Sequence, residues 1–384
     1  MTSYPAFKPS FGQNTSKALL DCIDQKSISG NFGDSLKNLE LSYSLLHNNY
    51  HSVSCSNGTA ALHLACLGLG INKSHTVVVP SITNMATFFA PMYCGAKVIS
   101  CDVNSNDGLI NLESLEYLCK IYDVDFVFIV HLYGHVVNPI KIEKLARKYN
   151  FKVIEDCAEA HFASFYNNSK YVGSYHDASC FSFYANKIIT GGEGGITLFK
   201  SKEYSEKAKN LKNLGFGDHE SPSKFFHSNI GYNYRLPNTV ASLICDSLER
   251  KKEILYKRDL IRSFYEEAFE GKDYISCLYS QLSSYRVNWV YCIKINEDYL
   301  NKFKSKKELL NALSASGVEA RDCFYPAELQ PFYNNYLKEN RYISPKNINS
   351  IKYYEGTIYL PVYLELSKED IYNIRNIVES ILLE

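Results

Sequence analysis

No charge of either sign is in excess in this chain: 41 Lys plus Arg balance 41 Asp plus Glu over 384 residues. That balance leaves no basic footprint for a nucleic acid, so a nucleotide met here is expected to be a small ligand. No apolar run reaches membrane-spanning length. The opening Met1-Thr2-Ser3-Tyr4-Pro5 lacks a basic-then-apolar leader, and the expectation is a cytoplasmic protein with no membrane partner. Among 12 cysteines no Cys-x-x-Cys pair occurs, so neither a zinc site nor a redox dithiol is indicated and no metal is expected. The cysteines read as small buried hydrophobes. The Gly-x-Gly-x-x-Gly fingerprint of a dinucleotide fold is also missing, which weakens a dehydrogenase reading.

What is plentiful is core: 46% of the residues are hydrophobic, ample for a large domain with a smaller one attached. Buried-strand runs at Thr76–Pro80, Lys97–Asp102 and Phe126–His131 alternate with helical segments at Leu112–Ile121 and Ile140–Tyr149. That alternation predicts a mostly parallel sheet wrapped by helices. Helical periodicity from Val240 to about Phe269 predicts one long helix leaving the large domain. Beyond it, strand-like Trp289–Ile295 and a helix near Lys306–Ser314 read as a smaller α+β domain. The expected division is 1–250 and 251–384, and Ser29–Gly33 reads as a turn.

The chemistry concentrates between Val153 and Gly195. Asp156 follows the β-rich Phe151-Lys152-Val153-Ile154, which places its carboxylate at the carboxyl end of a buried strand, where ligands of open α/β sheets collect. Lys187 closes Phe181-Ser182-Phe183-Tyr184-Ala185-Asn186-Lys187, with Ser182 on the same segment, and Gly191-Gly192-Glu193-Gly194-Gly195 follows. Upstream, Asn57-Gly58-Thr59 opens an Ala/Leu-rich helix whose first N–H groups suit a phosphate. Alone, an Asp at a strand end is a common turn or cap residue and a Lys is an ordinary surface charge. Together, an amine for a Schiff base, a carboxylate for a pyridinium nitrogen and donors for a phosphate match pyridoxal 5'-phosphate, PLP.

These stretches, Glu155-Asp156-Cys157-Ala158-Glu159-Ala160-His161 above all, resemble the DegT/DnrJ/EryC1/StrS sugar aminotransferases, and the resemblance covers nearly the whole chain. It implies the aspartate aminotransferase-like PLP fold type I: a large domain on a mostly parallel mixed sheet and a smaller C-terminal α+β domain. It implies Lys187 as the Schiff-base lysine, Asp156 as partner of the ring nitrogen, Glu159 as a contact to the ring hydroxyl, and Ser182 as a phosphate ligand beside Gly58 and Thr59. It further implies a homodimer in which Asn233 reaches the cofactor phosphate of the neighbouring subunit. His161, Arg235, Phe324 and Tyr325 are the substrate contacts that it suggests.

The implied reaction moves an amino group from L-glutamate to a nucleotide-linked keto sugar. Glu159-Ala160-His161, together with Phe226-His227 before Gly231-Tyr232-Asn233-Tyr234-Arg235, is most like members that aminate C4 of a GDP-linked 4-keto-6-deoxymannose. UDP- or dTDP-linked sugars and C3 amination are the alternatives. A related sugar dehydratase, whose subgroup carries His in place of the lysine, and a non-catalytic regulatory protein on the same fold are the more distant ones. The chain departs from the family at Asn84, where an aromatic ring commonly covers the cofactor, and at Ala327-Glu328 in the substrate segment. Phe88 or Phe89 is the candidate replacement ring; His131 reads as a structural strand-end histidine.

Overall fold

The computed structural model describes residues 3–30, 33–166, 170–216, 223, 225–278, 284–342 and 346–384. Asn31 and Phe32 of the expected turn therefore lie outside the described residues, as does Lys224. Helices α1 (Thr15–Asp24) and α2 (Asp34–Leu46) precede β1 (His51–Cys55). The chain then alternates through α3 (Gly58–Leu69), β2 (Thr76–Pro80), α4 (Ala86–Tyr93), β3 (Lys97–Cys101), α5 (Leu112–Ile121), β4 (Phe126–Val130), α6 (Pro139–Tyr149) and β5 (Lys152–Asp156). A two-residue strand, β6 (Ser164–Phe165), comes before β7 (Ala178–Ser182) and β8 (Gly195–Phe199), and α7 (Lys202–Lys212) follows.

Seven of these strands form one sheet in the order β1-β8-β7-β5-β4-β2-β3. β8 pairs antiparallel with both neighbours, whereas the pairings among β7, β5, β4, β2 and β3 are all parallel. Such strands are buried on both faces, which is why β4 reads Phe-Val-Phe-Ile-Val without polar alternation. Side chains still alternate between two cores: Val78, Val127, Ile129 and Val153 pack into one, Val77, Val79, Phe128 and Ile154 into the other. The same alternation sends Glu155 and Asp156 to opposite faces of β5.

The long helix expected over 240–269 is two helices, α8 (Asn238–Glu249) and α9 (Lys251–Ala268), which meet at Arg250. Each half answers to a different layer: α8 packs on α1 and α2, while α9 packs on the C-terminal helix. The Arg250 guanidinium is held at the break by the Ser10 carbonyl at 2.8 Å. Sequence periodicity runs through both helices and carries no signal for this change of direction.

Past α9 come β9 (Ile275–Cys277), β10 (Ser284–Tyr285), β11 (Tyr291–Ile295), α10 (Glu297–Leu300), α11 (Lys306–Ala315) and β12 (Arg321–Asp322). α12 (Pro331–Glu339), α13 (Ile348–Gly356), β13 (Thr357–Leu360) and α14 (Lys368–Leu383) complete the chain. A separate antiparallel sheet, β12-β13-β11-β9, has its own apolar core with Ile293, Ile358, Ile371 and Ile374. Several segments cross between the units, among them those of Tyr4 and Tyr333. Tyr4 pairs with Val318 and packs into the small core, and Tyr333 of α12 donates its hydroxyl to the Val98 carbonyl and accepts from the Ser100 amide.

Candidate active site

The carboxyl ends of β4, β5 and β7 open onto one cavity of about 280 Å³, lined by Val130, Asp156, Cys180 and Ser182 from those strands. The start of α3 forms another wall. Asn57 caps that helix, its side-chain oxygen accepting from Ala60 N at 2.8 Å, and Gly58 and Thr59 line the cavity in its first turn. A Cβ on Gly58 would stand 2.8 Å from the Ser182 Cβ. Only a glycine lets the helix start come this close to the serine. Capping and anion binding are thus compatible uses of one segment, because the cap satisfies the amide of Ala60 and leaves those at the first positions free.

Asp156 is buried at the end of β5; its two oxygens accept from Thr87 Oγ1 at 2.9 Å and Ala158 N at 3.1 Å. Burial raises its carboxyl pKa, and the Ala158 and Thr87 donors and nearby Lys187 pull it back only in part. Glu159 accepts from the Tyr133 amide at 2.9 Å, and its other oxygen stands 3.5 Å from Lys187 Nζ. Burial pushes its carboxyl up to about 7 against the opposing pull of Lys187. The Lys187 side chain is 12% exposed, and its ammonium lies 4.0 Å from the centre of the Trp289 ring.

On the opposite side Trp289 and Phe324 line the cavity, backed by the buried ring of Tyr133. Tyr133 lies between Trp289 and Phe324, at centroid distances of 6.0 and 5.5 Å and near-parallel planes. It is buried, with a left-handed φ of 53°, a conformation that non-glycine residues adopt at a cost. In return its amide reaches Glu159 and its hydroxyl accepts from Phe324 N at 3.0 Å. The Trp289 Nε1 donates to the Asn186 carbonyl at 2.7 Å, fixing the residue before Lys187.

The sequence candidates divide accordingly. Gly58, Thr59, Asp156, Glu159, Ser182, Lys187 and Phe324 share the cavity. His161 does not: it is fully buried, with Nε2–H donating to the Ser182 carbonyl at 2.9 Å and Nδ1 accepting from Tyr43 OH at 2.9 Å. Burial pushes its pKa down to about 3, so it is a neutral brace under β7, outside the cavity. Tyr325 turns away to meet Tyr354 edge-on, and Arg235 donates to Asn213 Oδ1 at 2.9 Å. Asn233 is exposed outside the cavity of its own chain. Glu328 accepts from Ser81 Oγ and Asn347 Nδ2, bridging the two units.

Phe88 and Phe89 do not supply the ring absent at Asn84. Phe88 packs on Tyr333 and Phe89 on Phe332, both outside the cavity that Asn84 lines. Sequence reasoning missed Thr87 and Tyr133 as partners of the two carboxylates, and the sole tryptophan as the surface under the lysine. Tyr184, Asn186, Glu193 and Tyr359 also line the cavity.

On the other face of β5, Glu155 accepts the amides of Gly173, Tyr175 and His176 and faces His131 Nε2 at 3.1 Å. Burial pushes its carboxyl up, but His176 and His131 outweigh that and hold it well below the usual range. His131, Glu155 and Cys157 form the one three-residue group with metal-donor spacing among the described residues. The acceptor capacity of Glu155 is already spent on its donors. His131 is the structural histidine expected.

A lysine, two buried carboxylates and a helix start meet at the carboxyl edge of an α/β sheet, the arrangement of an enzyme site with a reactive amine beside an anion-binding helix end. The matched family model, the DegT/DnrJ/EryC1/StrS aminotransferase family, spans residues 9–379. The chain belongs to this family, and its members use PLP. It is 33% identical to GDP-perosamine synthase of Escherichia coli O157:H7 over 87% of this chain and 88% of that relative. It is 31% identical to the UDP-4-amino-4,6-dideoxy-N-acetyl-beta-L-altrosamine transaminase of Campylobacter jejuni, over 86% and 85%. The structure of Helicobacter pylori PseC, an aminotransferase involved in the biosynthesis of pseudoaminic acid, superposes with a TM-score of 0.90 over the whole of both chains at 22% identity.

Proposed function

We propose that this protein is a homodimeric aminotransferase that moves the amino group of L-glutamate to C4 of GDP-4-keto-6-deoxymannose, giving GDP-perosamine for polysaccharide building in the cytoplasm. The observation that carries the aminotransferase chemistry is the convergence of Lys187, Asp156 and Glu159 on one cavity. The choice of sugar rests on the GDP-perosamine synthases among the relatives. PLP, when bound, supplies an electron sink for the carbon attached to the transferred nitrogen.

The cavity residues fit that group. Asp156 keeps free lone pairs for a ring N–H, and as an anion beside a cationic ring it would favour the charged form of both. Ser182 Oγ receives only a long 3.4 Å contact from Tyr184 N, so its O–H is free for a phosphate beside Gly58 and Thr59. Lys187 is the base that takes the proton from the glutamate α-carbon and returns one to the sugar carbon. Glu159 and Trp289 hold its ammonium from two sides.

Lys187 is the only cation among the described residues lining the cavity, beside Asp156, Glu159 and Glu193. The cofactor phosphate, the diphosphate of the sugar nucleotide and a dicarboxylate donor need more positive charge than that. Asn233 and Arg235 sit outside the cavity on a segment that also exposes Phe225 (80%) and Ile230 (91%), which supports their delivery to a second copy.

Incubation with PLP, L-glutamate and a panel of nucleotide-linked 4-keto-6-deoxy sugars tests the assignment, with the products resolved by mass spectrometry. Amination of the GDP sugar is expected. Amination of a UDP sugar alone would replace the substrate, a reading favoured by the Campylobacter relative. Mixing Lys187→Ala with Asn233→Ala protein tests the shared site: activity that neither variant has alone is expected to return.

A further inference from the structure

Arg258 of α9 is a buried cation that forms no ion pair among the described residues. Its guanidinium donates instead to the carbonyls of Asn288 at 3.1 Å and Trp289 at 3.0 Å, and Asn288 Nδ2 donates back to the Arg258 carbonyl at 3.0 Å. Burial brings its pKa down to about 10, which leaves it charged at neutral pH. A buried charge without a counter-charge is costly. What this one holds is the backbone at Trp289, and Arg258 itself lies outside the cavity.

The loop that carries Tyr133 clamps the same segment from another side. Val287 N donates to the Gly134 carbonyl at 3.2 Å, and a Cβ on Gly134 would run into the Val287 carbonyl, so the two backbones meet with no room for a side chain. Between these clamps the buried Trp289 ring lines the cavity and grips Lys187 at two points. Its N–H fixes the Asn186 carbonyl, one residue before the lysine, and its ring centre lies 4.0 Å from the ammonium. An ordinary core tryptophan needs apolar neighbours and one hydrogen-bond partner. It needs neither an ammonium on its ring nor a buried guanidinium behind its backbone. Indole is also the side-chain ring that attracts a cation most strongly.

We propose that Trp289, set in place by Arg258, is the positioning residue for Lys187: the indole N–H fixes the backbone beside the lysine, and the ring holds the ammonium tip inside the cavity. The inference rests on Lys187 being the residue that carries a proton between glutamate and the sugar. That amine works while free, and a free lysine moves on a long flexible stem. Glu159 on one side and the indole on the other narrow its choice of position. Trp289 lies on the segment leading into β11 of the small unit, whereas Lys187 follows β7 of the large one. The small unit therefore sets the aim of a base that it does not contain.

Trp289 is the sole tryptophan, so its emission reports on the lysine directly. In the full-length, cofactor-free protein Lys187→Met removes the charge at similar length, and the emission spectrum should change; identical spectra would overturn the contact. This test keeps the native tryptophan and stands even if a Trp289 variant fails to fold. In the PLP-loaded enzyme, with rates taken per loaded site, Trp289→Leu should lower kcat about a hundredfold, the cost of misplacing a reacting group by roughly 1 Å. The KM values of glutamate and keto sugar should not change. Trp289→Phe, which keeps a ring without the N–H, should recover part of the loss. Arg258→Lys should lower kcat with the same unchanged KM values, although it lies outside the cavity. A wild-type kcat in Trp289→Leu, a raised KM with wild-type kcat, or a Phe variant no better than Leu would each overturn the assignment. Failure of the underlying lysine reading shows separately, as retained turnover in Lys187→Ala.

Discussion

Glu159 Oε1 stands 3.5 Å from Lys187 Nζ, and this contact is the main reason the buried carboxyl rises no further than about 7. Burial disfavours its charged form and the ammonium favours it. In the cofactor-free protein, the Glu159 carboxyl should titrate near neutrality when followed by carbon NMR against Glu159→Gln protein. Lys187→Ala removes the opposing cation and should move that midpoint upward. A midpoint that stays put would mean that the pair does not interact in solution.

Lys187→Ala should also abolish transfer from glutamate to the keto sugar, by at least about a thousandfold, the range over which a positioned proton-transfer group acts. The fold should be retained with a modest loss of thermal stability, because buried Glu159 and the Trp289 ring lose the ammonium they both contact. Retained turnover would remove the lysine from the chemistry.

The Thr87 hydroxyl is one of two donors to Asp156. Thr87→Val keeps the shape but leaves a buried carboxylate oxygen unpaired, at a cost of about 1–3 kcal/mol. Denaturant unfolding should report that loss. Because the carboxyl would shift further up, cofactor affinity at neutral pH should fall with it. Wild-type affinity in this variant would mean that Asp156 does not need its threonine.

Gly58→Ala tests the close approach of α3 to β7. The added methyl would meet Ser182 Cβ at 2.8 Å, so the helix start or the serine must move. A stability loss of about 1–3 kcal/mol is expected, together with weaker binding of PLP and of inorganic phosphate. Calorimetry with each ligand separates the two effects.

Three histidines are buried neutral: His47 is pushed down to about 4, and His135 and His161 to about 3. An unfolded chain protonates them near 6.5. Below that pH the unfolded state binds more protons, so stability falls with acid, by up to about 1.4 kcal/mol per pH unit for each group. Glu159 acts in the opposite sense between about pH 4.5 and 7, because its native form holds a proton that the unfolded form has lost. The net slope below pH 6.5 should be roughly 1–3 kcal/mol per unit, and smaller by one proton in His161→Gln protein. Denaturant midpoints at pH 6.5 and 5.5 measure it.

The alternation of strands and helices that builds a mostly parallel sheet, the strand-end position of Asp156 and the grouping of Ser182 with Lys187 were legible in the chain; the order of the strands within the sheet was not. Each follows from short-range pattern: apolar runs, helical periodicity and the distance along the chain from a strand end. What the pattern cannot carry is depth. His161 reads like a substrate contact, but packing among Tyr43, Phe181 and Phe183 places it under the sheet. Phe88 and Phe89 read like cofactor covers until Tyr333 and Phe332, over two hundred residues away, occupy their faces.

By itself, then, the sequence determined a PLP-type family site on an α/β sheet, because those residues are local to strand and helix ends. Only the tertiary structure decided which aromatic ring meets Lys187, which donor holds Asp156, and where the helix after Asn238 breaks. Those choices depend on partners distant along the chain. Thr87 lies 69 positions from Asp156, and the Trp289 indole donates to a carbonyl 103 positions away. Packing brings these groups together, and no spacing along the chain encodes it.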